Sequence, residues 1–161
     1  MRPNYKKYIN NVKDHPEEGI LFRDIQPLLA NQVVFDSAIT SMRCLTSVPD
    51  YWVAIEARGF IFATALSIRF GGGIKLIRKW GKLPQVDLVT ASYKLEYGVD
   101  MMQIQKGTGS VVIVDDVYAS GGTMSAAEEI VSKAGYTHLD SICFIDIGIK
   151  ESNVKSVVHY G

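Results

Sequence analysis

Two adjacent carboxylates and a glycine-containing turn stand in the middle of the sequence, between an aliphatic run and a segment with helical spacing. Residues 111–114 are all β-branched, which is typical of a strand buried on both faces of a parallel sheet. Asp115 and Asp116 follow this run directly, and Gly121 and Gly122 precede the predicted helix. Ligands of open α/β sheets bind beyond the carboxyl ends of the strands. This segment is therefore the first candidate for a functional site.

The turn at residues 120–123 has the composition of a phosphate-binding loop. Its two glycines let the backbone direct N–H groups inward, and the amino terminus of the following helix adds a partial positive charge. Ser120 and Thr123 add hydroxyl donors. Asp115 and Asp116 repel phosphate, but they suit the hydroxyls of an attached sugar or a nearby Mg²⁺. The pattern predicts a ribose 5-phosphate site, and the alternative is a solvated turn with a helix cap.

Basic residues stand near two other predicted turns. Arg58 follows a short strand-like run and precedes a helical segment, so it is placed either to meet a phosphate or to form a surface salt bridge. Four cations fall within eight residues of a nearly neutral chain, at Lys75, Arg78, Lys79 and Lys82. Such a cluster is usually a solvated basic face, but this one borders a predicted long loop. Pyrophosphate binding by the last three is the favoured interpretation.

Composition excludes several classes of protein. The chain has 161 residues and a mass of 17.8 kDa, with 47% hydrophobic and 21% charged residues, as in a single folded domain. Lys+Arg and Asp+Glu both number 17, which argues against a nucleic-acid partner. The apolar runs are far shorter than the ~20 residues that span a bilayer, so no membrane association is expected. Two cysteines in unrelated contexts predict reduced thiols in a cytoplasmic protein.

Strands and helices are predicted to alternate along the chain. Apolar and β-branched runs predict strands at residues 51–55, 74–77, 101–104, 111–114 and 141–149. Helical spacing predicts helices at residues 60–70 and after residue 122. Residues 80–90 show no clear period, and a loop of that length is usually a lid or a binding loop. The predicted class is α/β with a mostly parallel sheet.

The segment at residues 111–123 resembles the phosphoribosyl pyrophosphate (PRPP) motif of type I phosphoribosyltransferases. In that motif an aliphatic strand is followed by two acids, two variable residues and Ala-Thr/Ser-Gly-Gly-Thr. Further segments resemble the adenine phosphoribosyltransferase family in its own order, at residues 22–29, 56–62, 77–84 and 92–98. The Phe22-Arg23-Asp24-Ile25 segment and the Ser92–Gly98 segment discriminate this family from relatives that use other bases. The resemblance covers about residues 15–135.

This resemblance implies a fold and a role for individual segments of the chain. The expected fold is that of type I phosphoribosyltransferases, an α/β fold with a mostly parallel central sheet flanked by helices. A small N-terminal hood at about residues 1–30 would bind the base, and a flexible lid loop would span about residues 80–97. All of residues 1–161 are expected to form one domain.

The resemblance also assigns roles to individual residues. Glu96, on the far side of the lid, would be the catalytic acid–base group at the purine. PRPP and AMP would be bound by Asp115, Asp116, Ala119, Ser120, Gly121, Gly122 and Thr123. Pyrophosphate would be bound by Arg58, Arg78, Lys79 and Lys82. Adenine would be framed by Leu21, Phe22, Arg23 and Val117. The family often has a non-proline cis peptide before the arginine of this turn, so a cis bond is expected between Glu56 and Ala57.

The activity implied is the reaction of adenine with PRPP to give AMP and pyrophosphate, as part of purine salvage. Mg²⁺ is expected with PRPP and pyrophosphate, although no metal ligands are assigned among the residues. A cytoplasmic homodimer is expected, since family members are usually homodimers. Two alternatives stay open, a phosphoribosyltransferase for another purine base and a non-catalytic sensor of PRPP or nucleotides.

The chain departs from the family pattern at three places. Trp80 stands where the lid usually has a small, polar or proline residue, and Val117 and Tyr118 replace the commoner aliphatic pair. The connection at residues 106–110 is several residues shorter than usual. These departures leave every proposed catalytic group in place, but they bear on lid motion, turnover and base preference.

Overall fold

The chain divides into two units in the computed structural model, which describes residues 1–95 and 98–161. The first unit, Met1–Ser41, begins with a 3-10 turn at Tyr5–Tyr8 and contains the antiparallel strands β1 (Asn10–Lys13) and β2 (Leu21–Asp24). Helix α1 (Gln26–Ala30) follows, and α2 (Gln32–Arg43) runs past the end of the unit. The buried Tyr5 hydroxyl hydrogen bonds to Ser37 Oγ at 2.8 Å and Ser41 Oγ at 2.9 Å. The turn is thereby held to α2.

The second unit, Met42–Gly161, contains a seven-stranded sheet. Its strands are β3 (Tyr51–Ile55), β4 (Gly73–Lys79), β5 (Leu88–Leu95), β6 (Gly98–Gln105), β7 (Ser110–Tyr118), β8 (Thr137–Asp146) and β9 (Lys155–His159). The spatial order is β5-β6-β4-β3-β7-β8-β9. The neighbouring strands β4, β3, β7, β8 and β9 are all parallel to one another. Strand β6 pairs antiparallel with both β4 and β5. The mostly parallel α/β fold expected from the sequence is confirmed.

Two helices cover opposite faces of this sheet, α3 (Gly59–Phe70) and α4 (Gly122–Lys133). Phe62 of α3 stacks on Phe144, with ring centroids 5.6 Å apart. Cys143 precedes Phe144 on β8 and belongs to the buried cluster that contains Ala127 and Ile130 of α4. Successive side chains of a strand point to opposite faces, so β8 is buried on both. This burial explains why β7 and β8 have continuous apolar runs instead of an alternating pattern.

The predicted lid is partly a strand. Within the expected loop at residues 80–97, Leu88–Leu95 pairs residue by residue with β6. Its alternate residues Val89, Ala91 and Tyr93 contribute to the hydrophobic core, which explains why the segment is ordered as a strand. The prediction of a structureless loop was wrong for these residues, and the connection between strands is confined to residues 80–87.

Strand β7 is also longer than predicted, because the two carboxylates lie inside it. Asp115, Val117 and Tyr118 pair with Cys143, Ile145 and Asp146 of β8. The sequence patterns also did not predict strand β9 or helix α2.

No described helix has the length and apolar character needed to cross a membrane.

Candidate active site

Three neighbouring strands end at the same edge of the sheet and carry most of the predicted site. Strands β4, β3 and β7 are adjacent and parallel, so their carboxyl ends meet there. Arg78 and Lys79 close β4, Glu56 and Arg58 follow β3, and the acidic pair lies near the end of β7. The fold therefore brings together cations and carboxylates that are distant in the sequence, such as Arg58 and Asp115, which are 57 positions apart.

The glycine turn after β7 forms a small cavity. Gly121 has a φ of +88° and caps α4, and its carbonyl accepts a hydrogen bond from Ser125 N at 2.9 Å. The cavity has a volume of about 80 Å³ and is lined by Asp115, Val117, Tyr118, Ala119, Ser120, Gly121, Thr123 and Met124. A side chain at Gly121 would place its Cβ 2.6 Å from the Tyr118 hydroxyl. The turn therefore requires glycine for both conformation and space.

Asp116 forms an ion pair with Arg58. Arg58 Nε lies 2.8 Å from Asp116 Oδ2, and the two side chains are 37% and 7% exposed. This buried oxygen accepts no hydrogen bond from the described residues. Buried polar atoms are nearly always hydrogen-bonded. An unsatisfied acceptor beside a cation at a strand end makes this position a candidate for ligand binding.

Asp115 has a perturbed acidity. Burial of its carboxyl and the nearby negative charge of Asp116 raise the pKa of Asp115 well above its usual value. Its Oδ1 accepts a hydrogen bond from Asp116 N at 2.9 Å, which opposes the rise. A carboxyl group with a raised pKa beside a second charged group is typical of functional sites.

The start of α3 approaches β7 very closely. A Cβ at Gly59 would lie 2.7 Å from Val114 O and 3.3 Å from Asp115 Oδ1. Backbone atoms cannot move aside as a flexible side chain does, so this position requires glycine. The contact fixes the distance between the turn that carries Arg58 and the strand that carries both acids. The peptide bond between Glu56 and Ala57 is cis, as expected from the sequence.

Glu56 binds the end of β4. Its Oε1 accepts a hydrogen bond from Arg78 Nη2 at 3.1 Å, and its Oε2 accepts one from Lys79 N at 2.9 Å. Burial raises the pKa of Glu56, but the bonds from Arg78 and Lys79 outweigh it and leave the pKa below its usual value. Glu56 is therefore ionised at neutral pH. The predicted pyrophosphate ligand Arg78 thus has a fixed protein partner.

The remaining predicted site residues lie in other surroundings. Lys82 is exposed in the connection after β4, where its backbone N–H donates to Lys79 O at 3.1 Å. Glu96, the predicted catalytic residue, lies outside the described residues. Leu21, Phe22 and Arg23 form part of β2 in the first unit, and Arg23 donates a hydrogen bond to Asn11 of β1.

Three residues near the site had no role assigned from the sequence, namely Glu56, Tyr93 and Asp100. Glu56 stands inside a segment that carries the family resemblance, so its position was visible although its partners were not. Tyr93 and Asp100 face each other across β5 and β6. Their pairing depends on the register of a hairpin that the sequence pattern did not reveal.

A parallel sheet with a glycine turn, two carboxylates and a row of cations at one edge is the construction of an α/β enzyme that acts on a phosphorylated substrate. A model of the phosphoribosyl transferase domain matches residues 41–159. An adenine phosphoribosyltransferase from Hydrogenovibrio crunogenus is 40% identical over 166 residues, with 96% of this chain and 95% of that protein covered. The chain belongs to the phosphoribosyltransferase family and, within it, to the adenine phosphoribosyltransferases.

Solved structures agree with this assignment. The adenine phosphoribosyltransferase of Thermoanaerobacter pseudethanolicus has a TM-score of 0.88 and 32% identity, with 99% of both chains covered. That of Saccharomyces cerevisiae, with 30% identity and a TM-score of 0.83 over 94% of both chains, was solved with an imino-altritol bisphosphate and adenine. The likeness therefore extends over nearly the whole chain.

Proposed function

We propose that the protein transfers the 5-phosphoribosyl group of PRPP to adenine, giving AMP and pyrophosphate, and that the sheet edge described above holds PRPP. The observation that carries the proposal is the row of strand ends, where the turn cavity and the acidic pair adjoin Arg58. The cavity suits the 5-phosphate, because it combines a glycine turn with the amino terminus of the twelve-residue helix α4. Asp115 and Asp116 would accept hydrogen bonds from the ribose hydroxyls.

Pyrophosphate is the leaving group of this reaction, and its departure leaves positive charge on the ribose ring. Arg58, Arg78, Lys79 and Lys82 would bind the departing group and so stabilise the transition state. Arg58 and Arg78 are held by acids, at 2.8 Å from Asp116 and 3.1 Å from Glu56. Side chains positioned in advance need little reorganisation during the reaction.

Mg²⁺ is proposed to arrive as the PRPP complex. The described residues contain no cluster of three or more His, Cys, Asp or Glu side chains suited to a metal. Mg²⁺ is usually bound by one or two carboxylates together with substrate phosphates and water, and Asp115 and Asp116 fit that requirement. When bound, the ion would neutralise charge on the pyrophosphate group.

Adenine is proposed to bind against Leu21, Phe22 and Arg23 of β2. Strand β2 has one partner in its two-stranded sheet. Alternate N–H and C=O groups of such a strand point away from the ladder. These main-chain groups would read the edge of the purine, and a 6-oxo purine with the reversed donor pattern would leave them unpaired.

Two further expectations concern the protein as a whole. Helix α3 has apolar residues on its solvent-facing side, where Ile61 is 39% exposed and Ile68 is 84% exposed. Such exposed apolar residues support the proposed homodimer. Cys44 and Cys143 form no disulfide, which supports a cytoplasmic location.

Turnover with a panel of bases tests the proposed function. AMP formation from PRPP and Mg²⁺ should occur with adenine, whereas hypoxanthine, guanine and xanthine should give no nucleotide. Turnover with another base would leave the PRPP site standing and refute the assignment of residues 21–23. Binding of PRPP with no turnover of any base would make the protein a sensor.

Glu96 is proposed as the group that exchanges a proton with the purine. Its replacement, Glu96→Ala, should lower kcat/KM at least tenfold, which corresponds to about 1.4 kcal/mol of transition-state stabilisation. Single-turnover kinetics would measure the effect on the chemical step. A variant with wild-type kinetics would exclude Glu96 from that role.

A further inference from the structure

The side chain of Lys79 pairs with the carboxylate of Asp100, which the proposed mechanism does not use. Its Nζ lies 3.2 Å from Asp100 Oδ2, and the Tyr93 hydroxyl donates to the same oxygen at 3.2 Å. The other oxygen, Oδ1, accepts a hydrogen bond from Met101 N at 2.8 Å. We call Lys79, Tyr93 and Asp100 the Asp100 cluster.

Strand register holds the Asp100 cluster together. Tyr93 stands directly opposite Asp100 in the β5–β6 pair, and Lys79 is opposite Met102 in the β4–β6 pair. The carboxylate therefore sits on the middle strand of three, with a donor on either side. Burial, together with the negative charge of Asp100, raises the pKa of Tyr93 to about 12. Tyr93 accordingly stays protonated and remains a donor to Asp100.

The two adjacent cations at the end of β4 are held in different ways. Arg78 makes two hydrogen bonds to Glu56, whose side chain is 17% exposed. Lys79 reaches Asp100 through a single ammonium contact, and their side chains are 56% and 30% exposed. Ion pairs this exposed contribute at most about a factor of five to an equilibrium constant. The Lys79 contact is therefore the one that a multiply charged anion can displace.

Asp100 does not depend on Lys79 for its position. After the ammonium leaves, the bonds from Met101 N and the Tyr93 hydroxyl remain. The hydrogen bond from Met101 is the main cause that lowers the pKa of Asp100. The carboxylate therefore stays ionised beside the cation site whether or not an anion occupies it.

We propose that Asp100 is an internal counter-ion of Lys79, which competes with the diphosphate group of PRPP and of pyrophosphate for the Lys79 ammonium and so weakens their binding. The inference rests on the proposed function, because it takes Lys79 as a diphosphate ligand. Asp100 is a positioning residue, since it acts through Lys79 and contacts no substrate. Its effect in the cell would be faster release of pyrophosphate after each turnover.

The variant Asp100→Asn tests the proposal, because it keeps the shape of the side chain and removes its charge. Pyrophosphate with Mg²⁺ should bind about 3- to 5-fold more tightly to the variant, and the KM for PRPP should fall while the KM for adenine is unchanged. Added salt should reduce the difference, since exposed charges are screened. Unchanged or weaker pyrophosphate binding by the folded variant would overturn the proposal.

Trp80 is an intrinsic fluorescence probe next to the Asp100 cluster. The protein has two tryptophans, of which Trp52 is fully buried and Trp80, which follows Lys79, is 61% exposed. Fluorescence titration with pyrophosphate therefore reads the surroundings of Trp80. Product inhibition of AMP formation gives an independent measure of the same affinity.

A double-mutant cycle shows whether Asp100 acts through Lys79. In a Lys79→Ala background, Asp100→Asn should change pyrophosphate affinity less than twofold. If the full gain persists there, Asp100 acts by general repulsion and its role as a counter-ion of Lys79 is refuted. Asp100→Glu, which keeps the charge, should restore wild-type affinity.

Asp140→Asn is the matched control. Asp140 pairs with Lys155 at 2.6 Å, and their side chains are 25% and 47% exposed, much as in the Asp100 pair. Removing the charge of Asp140 should leave the pyrophosphate affinity unchanged. AMP formation is measured for every protein in the series, so failure of the proposed function appears as absent turnover in the wild type. Failure of this inference appears as equal affinities among active proteins.

Discussion

A variant with both Asp115→Asn and Asp116→Asn is expected to lose at least about 100-fold in kcat/KM for PRPP. Each carboxylate is proposed to accept a hydrogen bond from a ribose hydroxyl, and a hydrogen bond to a charged group contributes about 1.5–3 kcal/mol. Losing two such bonds costs about 3 kcal/mol or more, which is a factor of 100 or above in rate. Steady-state kinetics with both substrates varied would measure it, and the KM for adenine should be unchanged.

The same variant is expected to be stabilised relative to the wild type as the pH rises, which separates lost function from lost structure. Burial and the charge of Asp116 raise the pKa of Asp115, so the folded chain holds this proton more tightly than the unfolded chain. As the pH rises above about 4, ionisation of Asp115 therefore favours unfolding. Asparagine has no such proton to lose.

Thermal unfolding at several pH values would test this expectation. The Tm of the double variant minus that of the wild type should be larger at pH 8 than at pH 5, whereas Asp140→Asn should show no such trend. A double variant that keeps wild-type kinetics would remove both acids from the proposed site. A Tm difference that shrinks as the pH rises would contradict the raised pKa of Asp115.

Gly59→Ala is expected to lower kcat/KM about 100-fold although the residue has no side chain to contact a substrate. The added Cβ would lie 2.7 Å from Val114 O, so the start of α3 must move away from β7. Arg58 would move with it and lose its 2.8 Å contact with Asp116. Misplacement of a site group by about 1 Å can cost 100-fold.

The free energy of unfolding should fall as well in Gly59→Ala, by about 1–3 kcal/mol, as in other overpacked sites. Urea unfolding and initial rates would measure the two effects together. Ser132→Ala is the control, because Ser132 is exposed near the end of α4, away from the site, and its change should affect neither. Full activity in Gly59→Ala would mean that the start of α3 does not have to stay where it is.

The local chemistry of the phosphate turn could be predicted from sequence because it lies within one contiguous segment. Residues 111–123 carry strand, acids, glycines and helix start together, and the structure has them as a strand, turn and helix with a cavity. The mostly parallel sheet followed from the same kind of local pattern. The cis bond at Glu56–Ala57 was expected from the family resemblance and is present.

Contacts between distant segments could not be predicted in the same way. The bond of Glu56 to Arg78 and the pairing of Tyr93 with Asp100 depend on strand order and register, which single-sequence periodicity does not determine. Strand β5 was missed because its inward residues Val89, Ala91 and Tyr93 differ greatly in size and polarity. An alternation of that kind is weak evidence for a strand until its partner is known.

The boundary at residue 41 has an evolutionary consequence. Leu21, Phe22 and Arg23, which are proposed to recognise the base, belong to Met1–Ser41, whereas Val117, the acidic pair, the glycine turn and the cation row belong to Met42–Gly161. Mutations that change the preferred base can therefore accumulate in one unit while the groups that bind PRPP stay intact in the other. Such a chain can diverge towards new nucleobases without rebuilding its reaction chemistry.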